Sequence, residues 1–203
     1  MATSDVPPEA RPAASVILLR RGGRHSDAGL EVLMVRRNEN ARVMPGFWVF
    51  PGGSLEPQDG DGESAYRACA VRELQEETGV VLEDPDALIP YSRWITPLEV
   101  PARFDTRFYA AMMPGHQTPE PDGEEMVDAA WASPADVLAR SESGEATLAF
   151  PTIKHLESLA RFERAEEALE AAREHEVEPV QPRVVREGDE IRIVLPGEPG
   201  YED

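Results

Sequence analysis

Short apolar runs separated by polar, turn-forming segments predict a chain in which β-strands alternate with helices. Two aliphatic runs near the start, at 14–21 and 30–37, are typical of strands, and the glycine-containing polar segment between them predicts a hairpin. The tail predicts a second hairpin, with Val184 and Val185 on one arm and 191–195 on the other. Further strand-like runs lie at 47–50, 91–95, 106–112 and 126–131.

Helical patterns occur at three places among these strands. Helix-favouring residues fill 64–78, and Gly79 follows where this helix is expected to end. Ser133 can cap a second helix, which has Pro134 at its first position. A last helix is predicted over about 152–174, because apolar residues recur there at helical spacing. Since strands and helices mix without a regular βαβ rhythm, the pattern predicts an α+β or layered α/β/α domain.

The composition indicates one globular domain and argues against several kinds of partner. The 203 residues are 41% hydrophobic, which suffices for one core, and the chain is too short for two ordinary domains. We expect a flexible arm at 1–12, the domain at 13–175 and an extension at 176–203 that carries the second hairpin. No apolar run approaches the roughly 18 residues of a membrane span, and the start lacks a signal sequence. A formal net charge of −19 argues against long nucleic acids, whose phosphates are bound by Lys and Arg.

The single cysteine, Cys69, bears on the compartment and on catalysis. One cysteine cannot form an internal disulfide, and no Cys/His cluster indicates zinc, so we expect a cytoplasmic protein. No histidine lies close in sequence to activate Cys69, and a lone helical cysteine is usually a small buried hydrophobe. We therefore expect no cysteine nucleophile.

An unusual cluster of acids lies in the first predicted helix, in the segment AVRELQEETG at 70–79. At about 100° per residue, Glu73, Glu76 and Glu77 fall within one arc of about 100°, where they repel one another. A divalent cation would make this arrangement favourable, because Mg²⁺ and Mn²⁺ prefer several hard oxygen ligands. The alternative is a solvated helix face, which is what most glutamate runs are.

Two neighbouring features favour the metal interpretation. Gly52 and Gly53 precede the helix, and a glycine pair lets backbone carbonyls approach an ion closely. Arg72 directly precedes Glu73 and can hold a carboxylate in orientation through its planar guanidinium.

The string from Gly52 to Val80, GG…RELQEETGV, resembles the Nudix box, whose usual form is G-x5-E-x7-R-E-U-x-E-E-x-G-U with U aliphatic. Every fixed position of the second half of the box matches. The first half departs, because eighteen residues separate Gly53 from the arginine where the usual box has thirteen. Counted back from the arginine, the first glutamate of the box falls on Ser64, with Glu63 beside it.

Further segments are similar to the Nudix branch that includes the peroxisomal acyl-coenzyme A diphosphatase. They are MPGFWVFPGG at 44–53, AYRACAVRE at 65–73, RWITP at 93–97 and RFDTRFY at 103–109. The resemblance implies an α/β/α sandwich with a mixed central sheet and the loop-helix-loop of the box.

The resemblance also implies a chemistry, the metal-dependent hydrolysis of a nucleoside diphosphate linked to another group X. Two or three Mg²⁺ or Mn²⁺ ions would be held by Glu73, Glu76, Glu77 and a carbonyl of the glycine turn, at Gly53, with Arg72 orienting the carboxylates. The general base in this family is a glutamate on the helix, such as Glu76, or on a later loop. Its later-loop candidate here is Glu125, and the alternative is that Glu125 is simply a solvated member of an acidic loop.

An acidic protein needs local positive charge to bind an anionic substrate. Arg37, Arg93 and Arg107 are the leading candidates, with Arg36 and Arg103 behind them. Phe47, Trp48, Trp94 and Phe108 are candidates to stack on an adenine, whereas Phe50, Phe108 and Trp131 are expected in the core.

The substrate and the partners stay open at this level. The resemblance to the acyl-coenzyme A diphosphatase branch implies coenzyme A or its acyl esters as the substrate. ADP-ribose, NADH or another nucleotide are alternative substrates of the same reaction. A non-catalytic domain that senses a nucleotide is an alternative of a different class, although such domains typically lose metal ligands. We expect a small nucleotide as the partner, and a homodimer because Nudix proteins often dimerise.

Overall fold

The computed structural model describes residues 8–22, 29–115, 117–188 and 190–201. The start of the predicted arm and most of the first predicted turn lie outside these ranges. Ten strands are described: β1 Arg11–Arg21, β2 Leu30–Arg37, β3 Trp48–Val49, β4 Gly52–Ser54, β5 Ile89–Ile95, β6 Phe104–Met112, β7 Met126–Ala132, β8 Pro179–Val180, β9 Arg183–Glu187 and β10 Glu190–Val194. The α-helices in the described ranges are α1 Gly62–Thr78, α2 Pro134–Glu142, α3 Phe150–Leu159 and α4 Ala165–Glu174.

The main sheet is mixed and has β1 near its centre. Strands run in the order β3-β2-β1-β6-β5-β8, with β4 paired to β1 and β7 paired to β2. The pairing of β1 with β2 is antiparallel, which confirms the first predicted hairpin, whereas β1 and β6 are parallel. The mixed sheet predicted from the family resemblance is therefore present.

Alternation along β1 divides the core into two layers. Val16 and Leu18 pack with Leu74 of α1 on one face of the sheet, and Ile17 and Leu19 pack on the other face against α3 and α4. Helices thus cover both faces, and the predicted α/β/α sandwich is confirmed. No helix within the described residues is long and apolar enough to cross a membrane.

The predicted helix over 152–174 is wrong, because two helices occupy this segment. Helix α3 ends at Leu159, and the turn that follows is closed by bonds from the backbone N–H of Arg161 to Ser158 and of Phe162 to Leu159. At the start of α4 the carboxylate of Glu167 then accepts from the backbone N–H of Arg164 at 3.3 Å and from its Nε at 2.9 Å. Apolar residues keep helical spacing on both sides of the turn, so the pattern alone did not reveal the break. Strand β1 also begins at Arg11, within the predicted arm.

The C-terminal extension joins the outer edge of the main sheet. Strand β8 pairs in parallel with β5, where Val180 lies opposite Trp94. Strands β9 and β10 then form an antiparallel pair in which Ile193 lies opposite Val184, and this confirms the second predicted hairpin.

Candidate active site

Helix α1 carries the acid cluster with one side fixed to the sheet. Cys69, Ala70 and Leu74 are buried against the layer formed by β1 and β6, and Gly79 ends the helix in the left-handed conformation with φ of 70°. This anchoring fixes the rotation of the helix. It brings the adjacent acidic side chains to the turn between β3 and β4.

Gly52 and Gly53, at the start of β4, lie close to the backbone of β1 and to the carboxylate of Glu73. An added Cβ at Gly53 would lie 2.3 Å from Glu73 Oε1, and one at Gly52 would lie 2.4 Å from the carbonyl oxygen of Ala14. The backbone N–H of Gly52 donates to Glu77 Oε2 over 2.9 Å. A larger residue at position 52 would therefore clash with the backbone of β1, and one at position 53 would displace the carboxylate of Glu73.

Arg72 links several acidic groups. Its Nη1 donates to Glu73 Oε1 and to Glu76 Oε2, each at 2.9 Å, and its Nη2 donates to the carbonyl of Ser54 at 3.2 Å. Nε and Nη2 also make a bidentate pair with Asp59, with both distances 2.9 Å. The contact with Glu73 is the one expected from the sequence, and the contact with Asp59 was not expected.

Asp59 could have been found by counting the box from its other end. Five residues separate Gly53 from Asp59, which is the spacing of the first acidic position in the usual box. The extra residues therefore lie between Asp59 and Arg72, where Gly60 and Asp61 lead into the first turns of α1. Glu63, which lies beside the position counted back from the arginine, pairs instead with Arg107 and accepts from the hydroxyl of Tyr109.

The three clustered glutamates differ in environment. Glu76 is largely exposed, Glu73 is mostly buried, and Glu77 is only 3% exposed. Burial and the charge of Glu73 raise the pKa of Glu77 to about 9, although the N–H of Gly52 acts against this. Burial likewise raises the pKa of Glu73, and Arg72 opposes the rise. The cluster thus has too little positive charge for its buried carboxylates.

The donor atoms of this cluster are of the chemical type that a hard divalent cation prefers. They are the carboxylates of Glu73, Glu76 and Glu77 and the carbonyl of Gly53, which Cys69 Sγ contacts at 3.6 Å. Within the described residues, no three acidic, cysteine or histidine side chains are placed together so that they could hold a metal ion. Arg72 draws Glu73 and Glu76 to itself, so a bound ion would compete with this arginine for their oxygens.

A cleft of about 460 Å³ opens beside the cluster. Glu73, Glu76 and Gly53 line it, and Glu125 joins them from the loop before β7. That loop is held by Asp122, whose carboxylate accepts from the backbone N–H of Glu125 at 2.8 Å. The charge of Glu125 contributes to the raised pKa of both Glu73 and Glu77. The structure therefore brings the later-loop candidate to the acid cluster.

The candidate arginines separate into two places. Arg37 lines the cleft and donates to the carbonyl of Val43 at 3.0 Å. Arg93 and Arg107 line a smaller cavity of about 220 Å³, where Arg93 pairs with Asp105 at 2.6 Å and Arg107 pairs with Glu63. Both are already neutralised by carboxylates and lie outside the lining of the main cleft.

Arg11 lines the cleft and was missed because it falls in the predicted arm. Its guanidinium stands 4.6 Å from the ring centroid of Phe104, the residue opposite it on the neighbouring strand. A basic residue immediately before the first aliphatic run was the available signal.

Among the aromatic candidates, Trp94 and Phe108 line the cleft. Phe50 belongs to the core layer on the α3 and α4 side of the sheet, and Phe108 is partly buried against that layer. Trp131 is partly buried against the layer on the α1 side. Trp48 is buried, with the guanidinium of Arg140 5.2 Å from its ring centroid.

Cys69 is unsuited to nucleophilic catalysis. It is fully buried in the layer beneath α1, and burial raises the pKa of its thiol to about 12. The thiol therefore stays protonated at neutral pH.

An acid-faced helix packed against a diglycine turn on a mixed sheet is the arrangement that the Nudix box predicts. The chain belongs to the Nudix family, because a sequence profile described as the NUDIX domain matches residues 9–156. Nudix hydrolases generally need divalent metal ions.

Individual relatives are similar at low identity. A Caenorhabditis elegans protein named as a nudix hydrolase is 28% identical over 185 residues, which cover 74% of this chain and 61% of the relative. An acyl-coenzyme A diphosphatase of Gallus gallus is 25% identical over 260 residues, which cover 75% of this chain and 68% of the relative. The chain thus spans between three fifths and about two thirds of the length of these relatives.

A solved structure shares the fold over most of the chain. The NUDIX hydrolase from Alicyclobacillus acidocaldarius has a TM-score of 0.71 and 28% sequence identity. The match covers 80% of this chain and 96% of that one.

Proposed function

We propose that the protein hydrolyses a diphosphate bond in a nucleoside diphosphate linked to another group, with Mg²⁺ or Mn²⁺ as the cofactor. The observation that supports this most directly is the acid face of α1, packed against the Gly52–Gly53 turn at one end of the cleft. Membership of the Nudix family supports the same reaction.

The roles follow from the positions of the side chains. Glu73, Glu76, Glu77 and the carbonyl of Gly53 would hold two or three ions, and Arg72 would keep Glu73 and Glu76 in place through the bonds it donates to them. When bound, the ions neutralise charge on the diphosphate oxygens and acidify the attacking water.

Glu125 is the proposed general base. It lines the cleft beside Glu73 and Glu76, and the bond to Asp122 fixes its backbone. The water oxygen forms a new bond to phosphorus as the bridging P–O bond breaks, and the water proton passes to the base. Glu76 is the alternative base, since it is the most exposed member of the cluster.

We assign anion binding to Arg37 and to Arg11, because these two arginines line the cleft and neither of them is bound to the carboxylates of the acid cluster as Arg72 is. Arg93 and Arg107 remain predictions whose ion pairs would have to open before they could bind substrate. For the substrate we propose coenzyme A or an acyl ester of it. The Gallus gallus relative named as an acyl-coenzyme A diphosphatase supports this choice.

A substrate panel tests the proposal. The metal-free protein is supplied with Mg²⁺ or Mn²⁺ and with coenzyme A, acyl-coenzyme A, ADP-ribose or NADH, and the products are separated by chromatography. We expect turnover that EDTA abolishes and that Glu77→Gln removes, while Glu170→Gln, an exposed change on α4, retains it. Turnover of ADP-ribose or NADH, without turnover of coenzyme A or its ester, would show that the proposed substrate class is wrong. Nucleotide binding without turnover of any of them would favour a sensing domain.

A further inference from the structure

The terminal hairpin borders the cleft although it lies outside the residues that the family profile matches. Pro182 and Ile193 line the cleft, and β8 joins the sheet beside Trp94, which lines it too. The hairpin is therefore an addition to the shared domain that reaches the substrate-binding region.

Several contacts fix one side of the hairpin and leave the other side toward the cleft. Val194 is only 2% exposed, the backbone N–H of Val184 donates to Glu99 at 3.4 Å, and the hydroxyl of Tyr201 donates to the carbonyl of Gln181 at 2.8 Å. Because neighbouring side chains of a strand point to opposite faces, Ile193 lies on the face away from Val194. Ile193 is 40% exposed.

The hairpin end of the cleft is distant from the acid cluster. Gly52 and Gly53 belong to β4, and the path from β4 through β1 and β6 to β5 is three strand spacings, about 14 Å. A substrate whose diphosphate lies at the acid cluster must therefore extend its other half along the cleft to meet Ile193.

The lining on this side of the cleft is mostly apolar, and it contains both aliphatic and aromatic side chains. Ile95, Pro97, Pro151 and Phe150 contribute to it, together with the hairpin residues. Trp94 offers little flat surface for stacking, because it is only 8% exposed and packs edge-on against Phe150 with ring centroids 6.1 Å apart. This surface suits a flexible aliphatic chain better than a planar base.

We propose that Ile193 and Pro182 determine substrate specificity by binding an acyl chain in the non-nucleotide half of the substrate. This inference rests on the proposed function and adds a subsite to it. Each methylene that the subsite buries strengthens binding about three- to fourfold.

The strand itself provides a matched control. Ile191 lies two residues from Ile193 on the same face of β10 and is 62% exposed, but it is not part of the cleft lining. Replacing either isoleucine by serine alters the hairpin in the same way, and only Ile193→Ser alters the cleft. Melting temperatures of both variants show whether the fold is retained.

The experiment compares KM and kcat for hexanoyl-coenzyme A, coenzyme A and ADP-ribose in Mn²⁺. We expect the wild type to favour the ester over coenzyme A. Ile193→Ser should raise the KM for the ester by about tenfold, while the KM for ADP-ribose stays within about twofold and Ile191→Ser behaves as the wild type.

The alternative outcomes separate the subsite from the reaction. An Ile193→Ser variant that leaves the ester unaffected, or weakens all substrates equally, overturns the subsite. A wild type that hydrolyses ADP-ribose but no ester also overturns the subsite and leaves the reaction intact. A wild type that hydrolyses none of the three overturns the proposed function.

Discussion

Asp59→Asn tests the ion pair that holds Arg72 beneath the acid cluster. The side chains of Asp59 and Arg72 are 3% and 15% exposed, and two hydrogen bonds of 2.9 Å join them. Asparagine keeps the shape but removes the charge and one of the two acceptors. A hydrogen bond to a charged group contributes about 1.5–3 kcal/mol, and Arg72 retains its other acceptors, so we expect a loss of about 2 kcal/mol in the free energy of unfolding.

Urea unfolding at pH 7 measures this loss as a lower midpoint with an unchanged slope. Asp61→Asn is the matched control, because Asp61 is exposed and makes no side-chain bond to the helix cap. Its expected change is below about 0.5 kcal/mol, as for an ordinary surface substitution.

The pH dependence adds an independent check. The bonds from Arg72 hold the pKa of Asp59 below its usual value, so the folded pKa lies below the unfolded one. This stabilisation is therefore complete above the unfolded pKa, about 3.9, and is lost as the pH falls through the folded pKa. The difference between wild type and Asp59→Asn should shrink in that acid range. Equal midpoints at pH 7, or a difference that persists unchanged in acid, would refute the reasoning.

Two further predictions concern the glycine turn and a buried histidine. Gly53→Ala places a methyl group 2.3 Å from Glu73 Oε1, and displacement of that carboxylate should lower kcat/KM about 100-fold. Gly115→Ala, with nothing within 4 Å, should not, and equal activity of the two variants would disprove the requirement. Burial lowers the pKa of His155 to about 3, so its neutral form favours the fold and stability falls as the pH drops below the unfolded pKa. The loss should be about 2 kcal/mol by pH 5, and urea midpoints at pH 7 and 5 should differ less in His155→Leu; an unchanged difference would contradict this.

Local patterns predicted the elements whose structure is set locally. The aliphatic runs of β1 and β2 and the acid face of α1 depend on side-chain alternation and helical spacing, and the structure has each of them. The helix predicted over 152–174 failed for a reason of the same kind. Its apolar spacing continues across the turn after Leu159, where Phe162 packs against the core.

Which arginines line the cleft could not be predicted from the sequence, because their positions depend on pairing between strands that are distant in the chain. Arg107 and Arg93 lie next to each other across β5 and β6, but carboxylates from α1 and β6 neutralise them. Arg11 reaches the cleft only because β1 extends into the predicted arm and pairs with Phe104. Neither placement follows from spacing along the chain.

The extra residues between Gly53 and Arg72 make the first acidic position of the Nudix box ambiguous, because counting from the two ends of the segment gives two different residues. Counting back from Arg72 leads to Ser64, with Glu63 beside it, whereas counting from Gly53 leads to Asp59, the residue that contacts the arginine. Only the folded loop decides between the two, because the inserted residues could lie on either side of the acid.

The central claim is that the acid face of α1 binds divalent ions. Isothermal titration calorimetry tests it most directly, with Mn²⁺ titrated into protein that has been treated with EDTA and dialysed. The account predicts saturable binding by the wild type and by Glu170→Gln, and weak or no binding by Glu77→Gln and by Glu73→Gln, each checked by its melting temperature. A wild type that takes up no manganese, or folded Glu73 and Glu77 variants that bind it as tightly as the wild type, would contradict the account.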